Sequence, residues 1–215
     1  MASEKMKKKR ADKIDHILSI ATEAFSEKGF HGALTDEIAE RAGVPKLSLY
    51  YYVGDKATLY DAVWKRLEED FSPIIYAEFD KNETAEGKMR KMIRGIAEVS
   101  RMTPLHSIAL RELLAGGQNL PPNQMKNTDH FLERFSLICE ELKAENWDIN
   151  APPMVVAWMI YSFFVEWKIL VPHLVEYGGT QQEIIETLGL EDVNEKLINI
   201  VEEIVFKIYK PQNLS

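Results

Sequence analysis

Glycines at positions 29, 43 and 54 cut the start of this chain into helix-sized pieces, and that spacing restricts what the chain can become. Ahead of Gly29, the residues Ile14, Ile17, Leu18, Ala21 and Phe25 recur at the interval of one helical face. Lys28-Gly29 then supplies a basic last turn and a C-cap. Thr35 opens a short segment whose apolar positions are Ile38, Ala39 and Ala42, and Gly43 stops it. A third segment runs from about Lys46 to Tyr52, followed by the turn Gly54-Asp55. From Lys56 a longer helix carries Leu59, Val63 and Leu67 on one face. Two short helices joined by a glycine-containing turn and packed on a longer one form a helix-turn-helix. In such a unit the second short helix enters the major groove of DNA.

That second helix lies in the stretch VPKLSLYYYVGDK, with three consecutive tyrosines. At about 100° per residue, Leu49 and Val53 fall on one side and are expected to face the core. Lys46, Leu47, Tyr50 and Tyr51 cover the opposite arc, and Tyr52 sits on the flank. Lysine and phenol groups can reach base edges or phosphates, and an apolar side chain can touch thymine methyls. The competing reading packs the aromatics on a neighbouring helix, but so short a helix cannot turn all three inward.

Charge is compatible with this and does not prove it. The net charge is −8, yet residues 1–60 hold ten Lys/Arg against nine Asp/Glu, and the acidic excess lies beyond them. Lys5, Lys7, Lys8, Lys9, Arg10 and Lys13 form a basic arm that could meet phosphates. On its own, such an arm reads as a solubilising tail. At 215 residues and 46% hydrophobic, the chain suits one or two globular domains. The single cysteine, Cys139, excludes an intramolecular disulfide and points to a reducing compartment. The charged N-terminus lacks the apolar core of a secretory signal, so a cytoplasmic protein is expected. The apolar run 154–171 contains Glu166 and Lys168 and is bounded by prolines, which favours a buried helix over a membrane span.

The stretch ILSIATEAFSEKGFHGALTDEIAERAGVPKLSLYYYVGDKATLYDAV resembles the N-terminal domain of TetR-type transcriptional regulators over most of residues 10–63. Its landmarks are Ala24-Phe25 ahead of Lys28-Gly29-Phe30, Ile38-Ala39, Ala42-Gly43-Val44, Leu49-Tyr50, Tyr52, Asp55-Lys56 and Leu59. The resemblance implies an all-α homodimer. Each chain would pair an N-terminal three-helix helix-turn-helix DNA-binding domain (1–55) with a C-terminal helical effector-binding and dimerisation domain (56–215). It also implies that Thr35, Lys46, Leu47 and Tyr50 contact bases of an operator in double-stranded DNA. Ser48, Tyr52 and Lys56 would hold phosphates, with backbone contacts from the arm before Ile14. Two positions depart from the pattern. Leu34 stands where many relatives carry Ser or Thr, so Thr35 becomes the expected N-cap, its hydroxyl turned to the backbone. Leu47 stands where compact residues are common.

Beyond residue 63 helical periodicity continues. It marks segments around Met89–Ile96, 104–117, Phe131–Leu142, 152–174 and Leu197–Ile208, with a loop at 116–123. The last two long helices resemble those that build the family's four-helix dimer interface, and the earlier ones would enclose a small, largely apolar effector. Met89, Met92, Met102, His106, Trp158, Met159, Phe163, Glu166 and Trp167 are the candidate ligand-binding residues, although plain core is the ordinary role of most such side chains. Glu166 shares a helical stripe with Met159, Phe163, Leu170 and His173, and an ion pair across a dimer interface is its favoured role. His106 and Arg111 could bind a carboxylate or phosphate, or simply meet solvent.

The five histidines show no metal-ligand spacing, and no catalytic motif is visible, so neither enzyme nor cofactor is expected. The reading is a repressor released from its operator by ligand. The alternative is a helical ligand-binding module that keeps the fold without specific operator recognition.

Overall fold

The computed structural model describes residues 2–211 and is all-α apart from one short antiparallel pair of strands. Its elements are α1 (Ala2–Gly32), α2 (Thr35–Arg41), α3 (Lys46–Val53), α4 (Lys56–Ile75), α5 (Ala85–Ser100) and α6 (Thr103–Leu114). Then come α7 (Pro122–Ala144), β1 (Trp147–Ile149), α8 (Pro153–Tyr177), α9 (Thr180–Leu188), α10 (Glu195–Ile208) and β2 (Tyr209–Pro211). The chain forms two compact units, one of Met1–Asp70 with Pro104–Pro122, the other of Phe71–Thr103 with Asn123–Ser215.

In the first unit, Ile17, Phe25, Ile38, Leu49, Leu59 and Val63 are buried from four different helices, which makes one small core. Tyr60 stands edge-on to Phe25, Phe30 and Trp64, with ring centroids 4.7, 4.9 and 6.2 Å away. Gly29 interrupts α1 with non-helical backbone, so the regular helix ends where Lys28-Gly29 predicts. Most of α6 joins this unit instead of the C-terminal one. Its Arg111 Nε donates to the Ser26 carbonyl at 2.9 Å, and its Glu112, buried to 2% exposure, accepts from the Tyr60 hydroxyl at 2.9 Å. A division at residue 55 therefore differs from the observed one, whose boundary runs inside α4.

The second unit is organised by capped, strongly amphipathic helices. Thr84 caps α5 by accepting from the Gly87 N–H, and Asn194 caps α10 by accepting from the Leu197 N–H. α5 packs against both α8 and α10, and α8 against α9. The buried Glu202 of α10 is held by Arg90 at 2.6 Å and Arg94 at 2.9 Å, both from α5. Trp167 donates its indole N–H to the Leu190 carbonyl at 2.9 Å, tying α8 to the segment after α9. The antiparallel pair β1–β2, in register Asp148 with Lys210, and helix α9 have no counterpart in the periodicity reading. Cys139 is buried, and burial pushes its thiol up to about 11.

Helix α8 is long and apolar enough to cross a membrane, and only 33% of its most apolar window is buried within the chain. The expectation of a buried helix thus holds for one face, that of Val156, Ile160, Phe164 and Val171. The other face exposes Met154, Val155, Trp158, Met159 and Leu170.

Candidate nucleic-acid interface

The turn between α2 and α3 is set by its own backbone. Gly43, at φ +62°, donates its N–H to the Glu40 carbonyl, and Val44 donates to Ala39, the paired bonds of a Schellman ending. A β-carbon would be strained at that φ, so glycine redirects the chain into α3. Ion pairs clamp α2 to α1: Lys28 to Glu37 at 2.7 Å, and Arg41 to Glu23 at 2.6 Å. The Lys28 hydrogen bond holds the Glu37 carboxyl below its ordinary range.

Helix α3 presents two unlike faces. Leu49 is 1% exposed and Val53 9%, whereas Leu47 is 84% exposed and Tyr51 71%. Lys46 and Tyr50 are exposed too, and Ser48 and Tyr52 are half-buried on the flanks. The outward side chains are tethered. Lys46 Nζ meets Asp36 Oδ1 at 2.6 Å, which raises the lysine pKa. The Tyr50 hydroxyl lies 3.2 Å from Thr35 Oγ1. The Arg10 guanidinium sits over the Tyr51 ring at 5.4 Å, and Tyr51 meets Tyr52 edge-on at 5.5 Å. Thr35 therefore does not cap α2. Leu34 takes the extended cap conformation without a side-chain bond, the helix begins at Thr35, and the freed hydroxyl reaches across to α3. Nor is the basic segment an unstructured tail, since α1 begins at Ala2 and delivers Arg10 to Tyr51.

Past α3, Gly54 sits at φ +76°, a backbone that strains any side chain, and a β-carbon there would make a tight contact of 3.1 Å with Thr58 Cβ. Thr58 is itself fixed: Asp55 Oδ1 accepts from its N–H at 2.8 Å and its hydroxyl at 2.7 Å, which lowers the Asp55 pKa. Lys56, half-buried beside this cap, donates to the His31 carbonyl at 3.3 Å and lies 5.0 Å from the Phe30 ring centroid. Burial lowers its pKa. Glu112 also accepts from Asn119 Nδ2 at 3.2 Å, and that amide lies 3.4 Å from His31 Nε2. A buried carboxylate thus connects α4, α6 and the end of α1. Its Tyr60 partner is distant in sequence, which hid it from periodicity.

The nine candidate ligand residues are distributed over the two units. His106 is buried in the first unit and the other eight belong to the second. Met89 and Met92 are buried on α5, and Met102 is half-buried just after it. On α8, Phe163 and Trp167 are half-buried with ring centroids 5.2 Å apart, while Trp158, Met159 and Glu166 are exposed. Of the nine, Met92 lines a cleft of about 250 Å³ whose other walls include Ile74, Ile75, Phe79, Lys91 and Arg94. The segment around Ile74–Phe79 carried no sequence signal, since it spans the end of α4 and an irregular stretch.

Comparison with known proteins agrees with this geometry. Residues 17–63, covering α2, α3 and parts of α1 and α4, match the family described as bacterial regulatory proteins, tetR family. The HTH-type transcriptional regulator RutR of Escherichia coli (strain K12) is 38% identical over 112 aligned positions, covering 46% of this chain and 47% of RutR. The negative transcriptional regulator IcaR of the icaADBC biofilm operon in Staphylococcus aureus (strain Newman) is 40% identical over 68 positions, 32% of this chain and 37% of IcaR. The chain thus spans about half the length of RutR and less of IcaR. Across nearly the whole chain, a TetR-like transcriptional regulator from Rhodococcus sp. RHA1 shares the fold with a TM-score of 0.56 at 18% identity, covering 91% of this chain and 94% of that one.

Proposed function

Because the chain belongs to the tetR family of bacterial regulatory proteins, we propose that it is a dimeric, DNA-binding repressor released from its operator by a small, largely apolar effector. The observation that carries this reading is the outward arc of α3, where Lys46, Leu47, Tyr50 and Tyr51 are exposed above the buried anchors Leu49 and Val53. An exposed aromatic and cationic surface on the second helix of a helix-turn-helix suits a major groove. Thr35, Lys46, Leu47 and Tyr50 then read bases, with Tyr51 beside them, and Ser48, Tyr52 and Lys56 meet phosphates.

Dimerisation is supported by the apolar face of α8 together with Ile200 and Ile204 of α10, exposed by 38% and 50%. Two copies of such faces make a self-complementary interface of the obligate type. Glu166 lies exposed on that side of α8, where a cross-subunit ion pair is its role. Dimerisation places two α3 helices about one DNA turn apart or a small multiple of it. The effector belongs in the second unit, with Met89 and Met92 at its wall, and it favours the conformation that does not fit DNA. α4 carries residues of both units along one helix. A cytoplasmic location goes with this reading.

The test is a fluorescence-anisotropy titration with the DNA flanking the protein's own gene, against scrambled competitor, at two salt concentrations. Preference for the flanking DNA with a salt-dependent slope is the expected result. Equal, weak binding to both probes at either salt would favour a module that keeps the fold for ligand binding alone.

A further inference from the structure

Among its described residues, the second unit contains a guanidinium without a counter-ion. Arg134, on α7, is half-buried and pairs with no carboxylate among the described residues. Glu133 beside it and His130 one turn earlier are both exposed, and neither bonds to it. Its guanidinium lies 4.2 Å from the Phe79 ring centroid and donates from one terminal nitrogen to the Ala77 carbonyl. Its Nε–H is buried without an acceptor. A second orphan donor, Asn127 Nδ2, belongs to the same helix. Seven residues apart, the two fall on one face of α7. Both also meet the end of α4, since the Tyr76 hydroxyl donates to the Asn127 carbonyl at 2.9 Å and Arg134 bonds the next residue.

Buried donors without acceptors are costly. The bond to the Ala77 carbonyl, just past α4, accounts for one nitrogen of Arg134 and leaves Nε unexplained. A carboxylate accepts from a guanidinium edge through two parallel bonds, and its oxygens can take further donors. Phe79 and Ala77, which Arg134 touches, also line the cleft of about 250 Å³, whose apolar walls include Ile74, Ile75 and Met92 and whose charged lining is Lys91, Arg94 and Glu98. That volume sits just under the roughly 300–1,000 Å³ of drug-sized sites, so it suits a short chain.

We propose that Arg134 and Asn127 bind the carboxylate of a small amphipathic effector whose apolar chain lies along Phe79 and into the cleft between α4 and α5. This rests on the second unit being the effector-binding part. The two donors complete their hydrogen bonding only when the carboxylate arrives. Burial, which lowers the Arg134 pKa, is then offset by the opposite charge.

Isothermal titration of the full chain tests this with sodium octanoate, with octan-1-ol as the uncharged probe and with inorganic phosphate as the anion without a chain. Octanoate is expected to bind at least about tenfold more tightly than either, and Arg134→Met to lose about that factor, because charge-assisted bonds are at stake. Asn127→Leu should weaken octanoate by a smaller factor and leave octanol unchanged. If circular dichroism shows that Arg134→Met does not fold, the Asn127 variant and the comparison of the probes decide. No binding of octanoate, equal binding of octanol, or full retention by a folded Arg134→Met would overturn the site. The titration contains no DNA. A chain that binds octanoate but no DNA would therefore sink the repressor reading and leave this site standing.

Discussion

Helices α3 and α8 both turn aromatic and aliphatic side chains outward, but the company those side chains keep is different. On α3, Lys46 is held by Asp36, the Tyr50 hydroxyl by Thr35, and the Tyr51 ring lies under Arg10. On α8, Met154, Val155, Met159 and Leu170 extend outward over 17 residues, with Glu166 and His173 the ionisable groups of their stripe. A face whose apolar groups are interleaved with tethered donors suits a partner that is charged and wet. A face that offers apolar area with few donors suits a second apolar protein surface. Exposure alone does not distinguish the two, and the neighbouring polar groups do.

The most forceful way to break this comparison is to put charge into the α8 and α10 face. Met159→Asp with Ile204→Asp should leave a folded monomer by light scattering. It should also lower apparent operator affinity by at least about a hundredfold, because the two reading heads would no longer be linked. If the double variant stays dimeric, the interface lies elsewhere and the contrast with α3 loses its meaning.

Next in size is Tyr50→Ala. Its loss should remove about 1–3 kcal/mol of discrimination between operator and scrambled DNA. The dimer should be untouched. Anisotropy against both probes reads the discrimination and light scattering reads the dimer. Unchanged preference would show that α3 does not read bases.

How these two faces could be seen in the sequence also differs. The α3 face was legible in detail, because glycines at 43 and 54 bound so short a helix that Leu49 and Val53 fix its rotation. What periodicity could not supply were the tethers, since Asp36–Lys46 and Thr35–Tyr50 depend on how α2 crosses α3. The α8 run was legible as a helix, but its composition is apolar all round, so no stripe marked which side is covered. Trp158 and Met159, candidate effector contacts by residue type, stand on the open side. Arg134 gave no signal at all, because an arginine on an amphipathic helix normally reaches solvent.

Of smaller size is the effect of removing the Tyr60 hydroxyl. Tyr60→Phe keeps the ring cluster and leaves buried Glu112 with Asn119 as its remaining donor. The first unit should lose about 1–3 kcal/mol, the usual cost of an unsatisfied buried acceptor, seen as a lower thermal midpoint. α10 has the analogous buried carboxylate, Glu202, but two arginines hold it, so Arg90→Gln alone should cost the second unit less. Equal losses would mean that the number of donors is not what separates the two sites.

The smallest effect concerns acid. Asp55 and Glu37, both around the α2–α3 element, have folded-state pKa values below their ordinary 3.8 and 4.5, the first through the Thr58 bonds and the second through Lys28. Below those ordinary values the unfolded chain takes up protons that the folded chain refuses. The stabilisation is therefore complete above them and is lost as pH falls through the folded values. In the second unit, burial works against Asp192, and the Lys168 bond, the Val193 N–H and the charges of Lys168 and Arg101 together outweigh it and lower that pKa as well. Acid should thus weaken both units, the first through two groups and the second through one. Asp55→Asn keeps a capping oxygen that cannot titrate in this range, so far-UV melts between about pH 3 and 7 should lose part of their acid slope in the first unit's transition. An unchanged slope in that variant would mean that the cap does not govern the acid response, leaving the Lys28–Glu37 clamp, removable by Glu37→Gln, as the group to test.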